Sequence, residues 1–201
     1  MNDYWNTIYQ TKPAHTVSWY EHYPHHSVRM ILSAELPLDA RIIDVGGGDS
    51  RLVDALLALG FQNVTVLDLS QHALDRAKDR LGDRADEVNW LVGDITAFTP
   101  PVPFDFWHDR AAFHFLTTSD LVARYLHVAQ AGIRKGGVLT VGTFAEDGPT
   151  RCSGLPVRQY SPKTLTGQFV PYFTRQQCDA VDHRTPSGVV QAFTFCQFTR
   201  H

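Results

Sequence analysis

The sequence lacks several features that would place it in a specialised class of protein. Its 201 residues include three cysteines, Cys152, Cys178 and Cys196, with no Cys-x-x-Cys pair, so the sequence suggests neither a disulfide framework nor a metal site. It has no apolar run of membrane-spanning length, and its first ten residues lack the basic-then-apolar pattern of a signal peptide. We therefore expect a reduced, cytoplasmic protein with no membrane partner.

The chain also lacks an excess of basic charge. Its formal net charge is −3 and its pI is about 6.3, without a run of like charges. Such a chain has no general field to attract a phosphate backbone, so we expect no nucleic-acid partner. The length fits a single domain with a substantial core, and we expect a monomer or a weak dimer.

Short β-like runs alternate with helical patterns through the middle of the chain. Strands are predicted at 41–45, 63–68, 88–92, 104–108 and 136–144, with helices after Ser50, after Ser70 and over about 119–132. This alternation predicts a parallel sheet with helices on both faces. Two further β-like runs, near 178–184 and 189–199, are predicted to form an antiparallel pair at the edge of the sheet.

The sequence predicts a single domain over residues 1–201. Two segments of this domain do not follow the alternation of strands and helices. Residues 1–24 are rich in aromatic side chains but have no clean period, which predicts a packed arm or lid before a helix near 25–36. Residues 145–163 show no periodicity, and loops of that length in a compact domain are usually functional or disordered. We expect this segment to form a substrate-side loop.

Residues 42–50, IIDVGGGDS, place three glycines directly after a predicted strand. Such a turn lets a ligand approach the backbone closely. A dinucleotide-binding G-x-G-x-x-G motif that began at Gly46 and Gly48 would need a third glycine where Arg51 stands, and no Lys-Ser/Thr pair follows as in a phosphate-binding P-loop. The glycines therefore predict a ligand without a pyrophosphate.

Acidic residues at successive strand ends narrow the choice of ligand. Asp68 ends the second strand, where a carboxylate can accept hydrogen bonds from ribose hydroxyls. Asp94 follows the third strand, within reach of an adenine amino group, and Asp44 precedes the glycines. Together they indicate an adenosine with a cationic amino-acid tail, which is S-adenosylmethionine.

On these residues the chain resembles the class I, seven-β-strand methyltransferases over about residues 25–200. The resemblance rests on DVGGGDS (44–50), VLDLS (66–70), VGDI (92–95), FDFWHDR (104–110) and GGVLTV (136–141). It implies a doubly wound, seven-stranded, mostly parallel Rossmann-like sheet with an antiparallel C-terminal pair. Ser50 stands where many members have a further glycine.

The same resemblance implies the residues of a cofactor site. Asp44, Gly46, Gly47 and Gly48 would line the methionine end, Asp68 the ribose, Leu69 the adenine face, and Asp94 with the Ile95 backbone the adenine edge. Asp109 and Arg110 would border the methionine moiety. In the N-terminal arm, Trp19 and Tyr20 could attract the sulfonium by cation–π interactions.

Methyl transfer needs the nucleophile aligned and water excluded, and it needs a base only when the nucleophile arrives protonated. His114 is the predicted base or substrate contact, although it could equally be an aromatic filler. Arg110 could hold a substrate carboxylate or make a structural ion pair. Cys152 is expected to be a small packing residue on the substrate-side loop.

The predicted acceptor is a small molecule with an uncharged or soft nucleophile. The DRAA segment (109–112) is faintly similar to the thiopurine and chalcogen methyltransferases, whereas the arm-plus-core plan also occurs in small protein lysine methyltransferases. A non-catalytic S-adenosylmethionine-binding protein is the remaining alternative. A nucleic-acid base methyltransferase is disfavoured because HDRA stands where an Asn/Asp-Pro-Pro-aromatic motif would be expected.

Overall fold

The computed structural model describes residues 2–201. Its main strands are β1 (Arg41–Val45), β2 (Asn63–Asp68), β3 (Val88–Val92), β4 (Phe104–Arg110), β5 (Ile133–Phe144), β8 (Phe173–Arg184) and β9 (Val190–Arg200), and the short pair is β6 (Arg151–Cys152) with β7 (Leu155–Pro156). The seven main strands form one sheet in the order β3-β2-β1-β4-β5-β9-β8. Strands β1 to β5 are parallel, and β9 is antiparallel to both β5 and β8. The predicted sheet, including its C-terminal antiparallel pair, is confirmed.

Within residues 2–201, six α-helices accompany the sheet: α1 (Asn2–Thr11), α2 (His25–Leu32), α3 (Leu52–Ala58), α4 (Gln71–Leu81), α5 (Ser119–Gly132) and α6 (Pro162–Phe169). Their ends follow local chemistry. The Ser70 hydroxyl accepts a hydrogen bond from the Ala73 N–H at the start of α4, and Gly82, with φ +58°, ends that helix. Within the described residues, no helix combines the length and the apolar composition that a membrane span requires.

Both faces of the sheet are buried. Phe106 and Trp107 are neighbours on β4, so their side chains point to opposite faces, and both are fully buried. Trp107 packs in a cluster with residues of α5 and α6, whereas Phe106 packs with residues of α2, α3 and α4. Two covered faces are the arrangement that a parallel sheet requires.

The N-terminal arm contains a helix that the sequence pattern did not predict. Helix α1 places Trp5 and Tyr9 four residues apart on one face, and the remaining positions of the helix are mostly polar. This stripe is too narrow to give a clean helical period. Helix α6, at the end of the predicted loop, was also missed, although Ser161 and Thr164 form a capping box before it and Pro162 is its first residue.

The expectation of a chain without disulfides is wrong for one pair of cysteines. Cys178 on β8 and Cys196 on β9 lie directly opposite each other and form a disulfide. The register of the two strands brings the cysteines together, and their separation of 18 residues carries no such signal. Cys152 remains a free, buried thiol.

Candidate active site

A cavity of about 210 Å³ lies at the carboxyl ends of β1, β2 and β4. Strand β1 lies between β2 and β4, so this is the switch point of the sheet, where ligands bind in doubly wound folds. Its walls come from α1, the segment 19–27, the glycine turn, the ends of β2, β3 and β4, and Cys152.

The glycine turn leaves no room for side chains. A Cβ on Gly47 would lie 2.6 Å from a carboxylate oxygen of Asp44, and one on Gly48 would lie 2.5 Å from the Tyr9 hydroxyl. Gly48 also has a φ of +50°, which disfavours other residues. Gly46 and Gly47 line the cavity, so a ligand there meets bare backbone.

Asp68 presents a buried carboxyl group to the cavity. Burial raises its pKa to about 7, although backbone N–H groups of Ser70 and Gly48 hydrogen-bond to it. Leu69, Asp94 and Ile95 also line this side of the cavity. One Asp94 oxygen is held by the Thr96 N–H and hydroxyl, both at 2.8 Å. The strand-end positions named from the sequence therefore meet at one wall.

Three hydrogen-bonded residues that the sequence did not indicate line the cavity. The Asp44 Oδ1 and His108 Nδ1 atoms are 2.7 Å apart, and His108 Nε2 is 2.9 Å from the Ser27 hydroxyl. All three side chains are buried and line the cavity. Asp44 and His108 are paired positions on β1 and β4, whereas Ser27 comes from α2. His108 lies within the FDFWHDR motif (104–110), but only the pairing of β1 with β4 shows that its partner is Asp44.

Aromatic side chains of the N-terminal arm form the roof of the cavity. Trp5, Tyr9, Trp19 and Tyr20 all line it. The rings of Trp5 and Trp19 are 6.0 Å apart in an edge-to-face arrangement, and Trp5 lies 5.3 Å from Phe115 in the same way. We call α1, which carries Trp5 and Tyr9, the roof helix.

Polar contacts connect the roof helix to α4 and to the residue that precedes it, Ser70. The Asn6 side chain is 2.8 Å from the Ser70 hydroxyl, just beyond β2. Arg76 on α4 donates to the Tyr9 carbonyl at 2.9 Å, and its other terminal nitrogen lies 2.9 Å from Asp49, next to the glycines. Arg76 thus connects the roof helix to the glycine turn.

An ion pair lies on the β5 side of the cavity. Arg110 Nη1 donates to the Trp19 carbonyl at 3.0 Å and lies 3.4 Å from the Glu21 carboxylate. Burial alone would raise the pKa of Glu21, but His183 and Arg110 together lower it, so this group remains an anion near neutral pH. Burial raises the pKa of the nearby Cys152 thiol to about 11, which keeps it protonated.

Two residues named from the sequence point into the core instead of the cavity. His114 is fully buried between the rings of Phe115 and Phe144, and burial lowers its pKa to about 3. Asp109 accepts hydrogen bonds from the Tyr125 hydroxyl and two backbone N–H groups. Side chains alternate along β4, so His108 and Arg110 face the cavity and Asp109 does not. Neither side chain lines the cavity.

The chain is similar in sequence and in fold to known methyltransferases. Residues 42–137 match a methyltransferase domain family. The chain therefore carries a methyltransferase domain, and its fold is that of the class I, S-adenosylmethionine-dependent methyltransferases. The cofactor of this methyltransferase is S-adenosylmethionine. The sequence is 24% identical over 141 residues to the mouse eEF1A lysine and N-terminal methyltransferase. The match covers 70% of this chain and 20% of the mouse protein.

A second curated relative matches a shorter part of the chain. The zebrafish N-terminal Xaa-Pro-Lys N-methyltransferase 1 is 29% identical over 102 residues, which cover 49% of this methyltransferase and 45% of the relative. This methyltransferase therefore spans less than half of the length of these curated relatives.

Two solved structures match the fold over nearly the whole chain. One is a structure solved in work on the conversion of a disulfide bond into a thioacetal group during echinomycin biosynthesis. It matches with a TM-score of 0.78 at 19% identity, covering 100% of this methyltransferase and 93% of that chain. The N-methyltransferase NodS from Bradyrhizobium japonicum, solved with S-adenosyl-L-homocysteine, matches with a TM-score of 0.73 at 14% identity and 97% coverage of both chains. At these identities the matches show a shared fold.

Proposed function

We propose that this methyltransferase transfers a methyl group directly to a nucleophile on a small-molecule acceptor. The cofactor, when bound, supplies an electrophilic methyl carbon on a sulfonium. The observation that carries the proposal is the roofed cavity at the ends of β1, β2 and β4, with a glycine turn, a buried carboxyl and aromatic walls. Such walls exclude water from a displacement reaction.

The residues of the cavity fit this cofactor. We propose that the bare backbone of Gly46 and Gly47 receives its methionine end and that Asp68 accepts hydrogen bonds from the ribose hydroxyls. Asp44 can bind the methionine ammonium through the oxygen that does not contact His108. The full proposed set is Asp44, Gly46, Gly47, Gly48, Asp68, Leu69, Asp94, Ile95, Trp19 and Tyr20.

The size of the cavity supports a slender acceptor group. Its volume of about 210 Å³ is below the roughly 300–1,000 Å³ usual for ligand pockets, so the cofactor takes up most of it. A more open groove of about 430 Å³ shares Tyr20 and Glu21 with the cavity. We propose that the acceptor lies in this groove and extends its nucleophile past these two side chains.

His108 replaces His114 as the proposed proton acceptor. Its Nδ1 faces the Asp44 carboxylate, which favours the proton on that nitrogen and leaves Nε2 to accept from the Ser27 hydroxyl. For an acceptor that arrives protonated, Ser27 takes that proton and passes its own to Nε2, and the Asp44 carboxylate stabilises the resulting imidazolium. An acceptor that arrives without a proton does not need this step.

A second candidate acceptor is an amine on a protein. The outer groove is lined by the carboxylates of Glu21 and Asp182, although Arg184 offsets part of their charge. The curated relatives include enzymes named for eEF1A lysine and protein N-termini. The identity to them is low, and this chain spans only part of each.

Transfer of a radiolabelled methyl group separates these possibilities. A panel of small thiols, small amines and peptides with a free N-terminus or a lysine should give label on a small molecule. Label retained on macromolecules in a protein mixture, with none on the small acceptors, would favour the protein amine. Binding of S-adenosylhomocysteine without transfer to any acceptor would indicate a non-catalytic binding protein.

A further inference from the structure

The guanidinium of Arg110 is only half satisfied. Nη1 is occupied by the Trp19 carbonyl and Glu21, whereas the buried Nη2 has no hydrogen-bond partner among residues 2–201. The Arg110 side chain is 13% exposed and forms part of the cavity wall. A buried charged donor without a partner is costly, so this nitrogen requires an oxygen from a ligand or from water.

The position of Arg110 assigns that oxygen to the acceptor rather than to the cofactor. The cofactor residues proposed above lie mainly at the ends of β1, β2 and β3. Arg110 ends β4, where it pairs with Gly142 of β5, and its guanidinium lies 5.4 Å from the centre of the Phe193 ring on β9. It also contacts Glu21, which separates the cavity from the outer groove. Arg110 therefore faces the route by which the acceptor enters.

The local charge favours a neutral oxygen. Glu21 already balances the charge of Arg110, and its lowered pKa keeps it an anion. A carboxylate at Nη2 would add a second negative charge to a buried pair, and burying an unbalanced charge is unfavourable. An amide or peptide carbonyl accepts the same hydrogen bond without adding charge.

We propose that Arg110 Nη2 binds a carbonyl oxygen of the methyl acceptor, so that the preferred acceptor carries an amide or peptide group close to its nucleophile. This inference rests on the proposed function, because it names the chemical class of that acceptor. Glu21 and the Trp19 carbonyl fix the guanidinium through Nη1, which leaves Nη2 as the nitrogen available to the acceptor.

Three small probes test the proposal on the full chain loaded with S-adenosylhomocysteine. Alaninamide carries an amine and an amide carbonyl, alanine replaces the amide with a carboxylate, and isopropylamine lacks the carbonyl. Their dissociation constants are measured by NMR titration. Alaninamide should bind about tenfold more tightly than isopropylamine, as expected for a hydrogen bond from a charged donor, and more tightly than alanine.

Two variants complete the test. Arg110→Lys keeps the charge but removes the second nitrogen, so it should abolish the preference for alaninamide over isopropylamine while the affinity for S-adenosylhomocysteine stays within about threefold. Glu21→Gln should shift the preference towards alanine, because it leaves Arg110 without its balancing anion. The matched control is Arg134→Lys in an exposed ion pair with Asp105, which should change neither quantity.

Several results would overturn the proposal. One is an Arg110→Lys protein that binds S-adenosylhomocysteine ten times more weakly, since Nη2 would then belong to the cofactor. Others are an unchanged alaninamide preference in Arg110→Lys and tighter binding of alanine than of alaninamide to the unmodified protein. Methyl transfer to alaninamide is measured separately: Arg110-dependent binding without methylation would count against the small-molecule acceptor but would support the carbonyl site.

Discussion

The Nδ1 atom of His108 lies 2.7 Å from Oδ1 of Asp44, and both side chains are almost completely buried at the cavity. Replacing the imidazole by the apolar ring in His108→Phe strands a buried carboxylate, which should lower the free energy of unfolding by about 1–3 kcal/mol or more. Ser27→Ala removes a hydrogen bond between uncharged partners and should cost about 1 kcal/mol. Urea denaturation measures both losses. Equal losses would mean that Asp44 does not depend on the imidazole.

Asp68→Asn should weaken binding of S-adenosylhomocysteine. The amide keeps the shape of the side chain but removes the charged acceptor for the ribose hydroxyls, and such hydrogen bonds contribute about 1.5–3 kcal/mol, or roughly 10- to 150-fold in affinity. Calorimetry on the two proteins measures the change. Asp83→Asn, on the exposed 3₁₀ turn after α4, is the control. An affinity within about twofold of the unmodified protein would remove Asp68 from the proposed site.

The same carboxyl should make cofactor affinity depend on pH. Burial raises the pKa of Asp68 to about 7, and ribose hydroxyls donate to the ionised form, so affinity should fall by up to about tenfold per pH unit below 7 and level off above about pH 8. Titrations across this range test the slope. In Asp68→Asn the slope should disappear, and a slope that persists would have to come from another group.

The raised pKa also has a consequence for stability without ligand. The folded protein holds the Asp68 proton to about pH 7, whereas the unfolded chain releases it near the usual value of 3.8. The contribution of this group to stability is therefore complete below about pH 4 and is lost as the pH rises to about 7. The difference in melting temperature between the unmodified protein and Asp68→Asn, followed against pH, isolates this contribution.

Ala111→Gly should stabilise the protein. Ala111 follows Arg110 at the end of β4 with a φ of +69°, a conformation that costs a non-glycine residue about 1–2 kcal/mol. Glycine relieves this strain but adds about 0.4–1 kcal/mol of unfolded-state entropy, which leaves a net gain of roughly 0.5–1 kcal/mol. Ala112→Gly, at a right-handed helical position, should instead destabilise. Chemical denaturation of the two variants gives opposite signs if the strain at Ala111 is real.

The Cys178–Cys196 disulfide predicts the number of reactive thiols. Denatured but unreduced protein should show one free thiol, that of Cys152, in a colorimetric titration. Closing a loop of this length stabilises by about 3 kcal/mol in the chain-entropy model, so reduction should lower the melting temperature. Affinity for S-adenosylhomocysteine should remain unchanged, since the cavity lining includes neither of these cysteines. Three titratable thiols would contradict the pairing.

The sheet could be predicted from sequence because each central strand is a short apolar run bounded by turn residues. The glycine turn and Asp68 lie at strand ends, and parallel strands bring their carboxyl ends to one edge. The partner of a side chain across two strands depends on register, which no local pattern encodes. Asp44 opposite His108, and Cys178 opposite Cys196, therefore emerged only from the structure.

The misassigned residues have a similar explanation. Position in the sequence predicts that Asp109 borders the methionine moiety and that His114 is a base or substrate contact, but alternation along β4 and the turn after it direct both side chains into the core. The sequence pattern does not predict the roof helix because the apolar stripe on its inner face is only about one turn long. Trp5 and Tyr9 form this stripe and pack through aromatic contacts.

The position of the roof helix has a consequence for the release of the demethylated cofactor product. Trp5 and Tyr9 line the cavity, so we expect that exchange of a nucleoside the size of the cofactor requires this helix to move outward, breaking the contacts of Asn6 with Ser70 and of Arg76 with the Tyr9 carbonyl. Arg76 also forms an ion pair with Asp49 beside the glycine turn. The same arginine therefore contacts both the roof helix and the glycine turn. Residence time of the demethylated product is therefore expected to track the strength of these few contacts, so that the pace of repeated turnover would depend on a helix that takes no part in the chemistry.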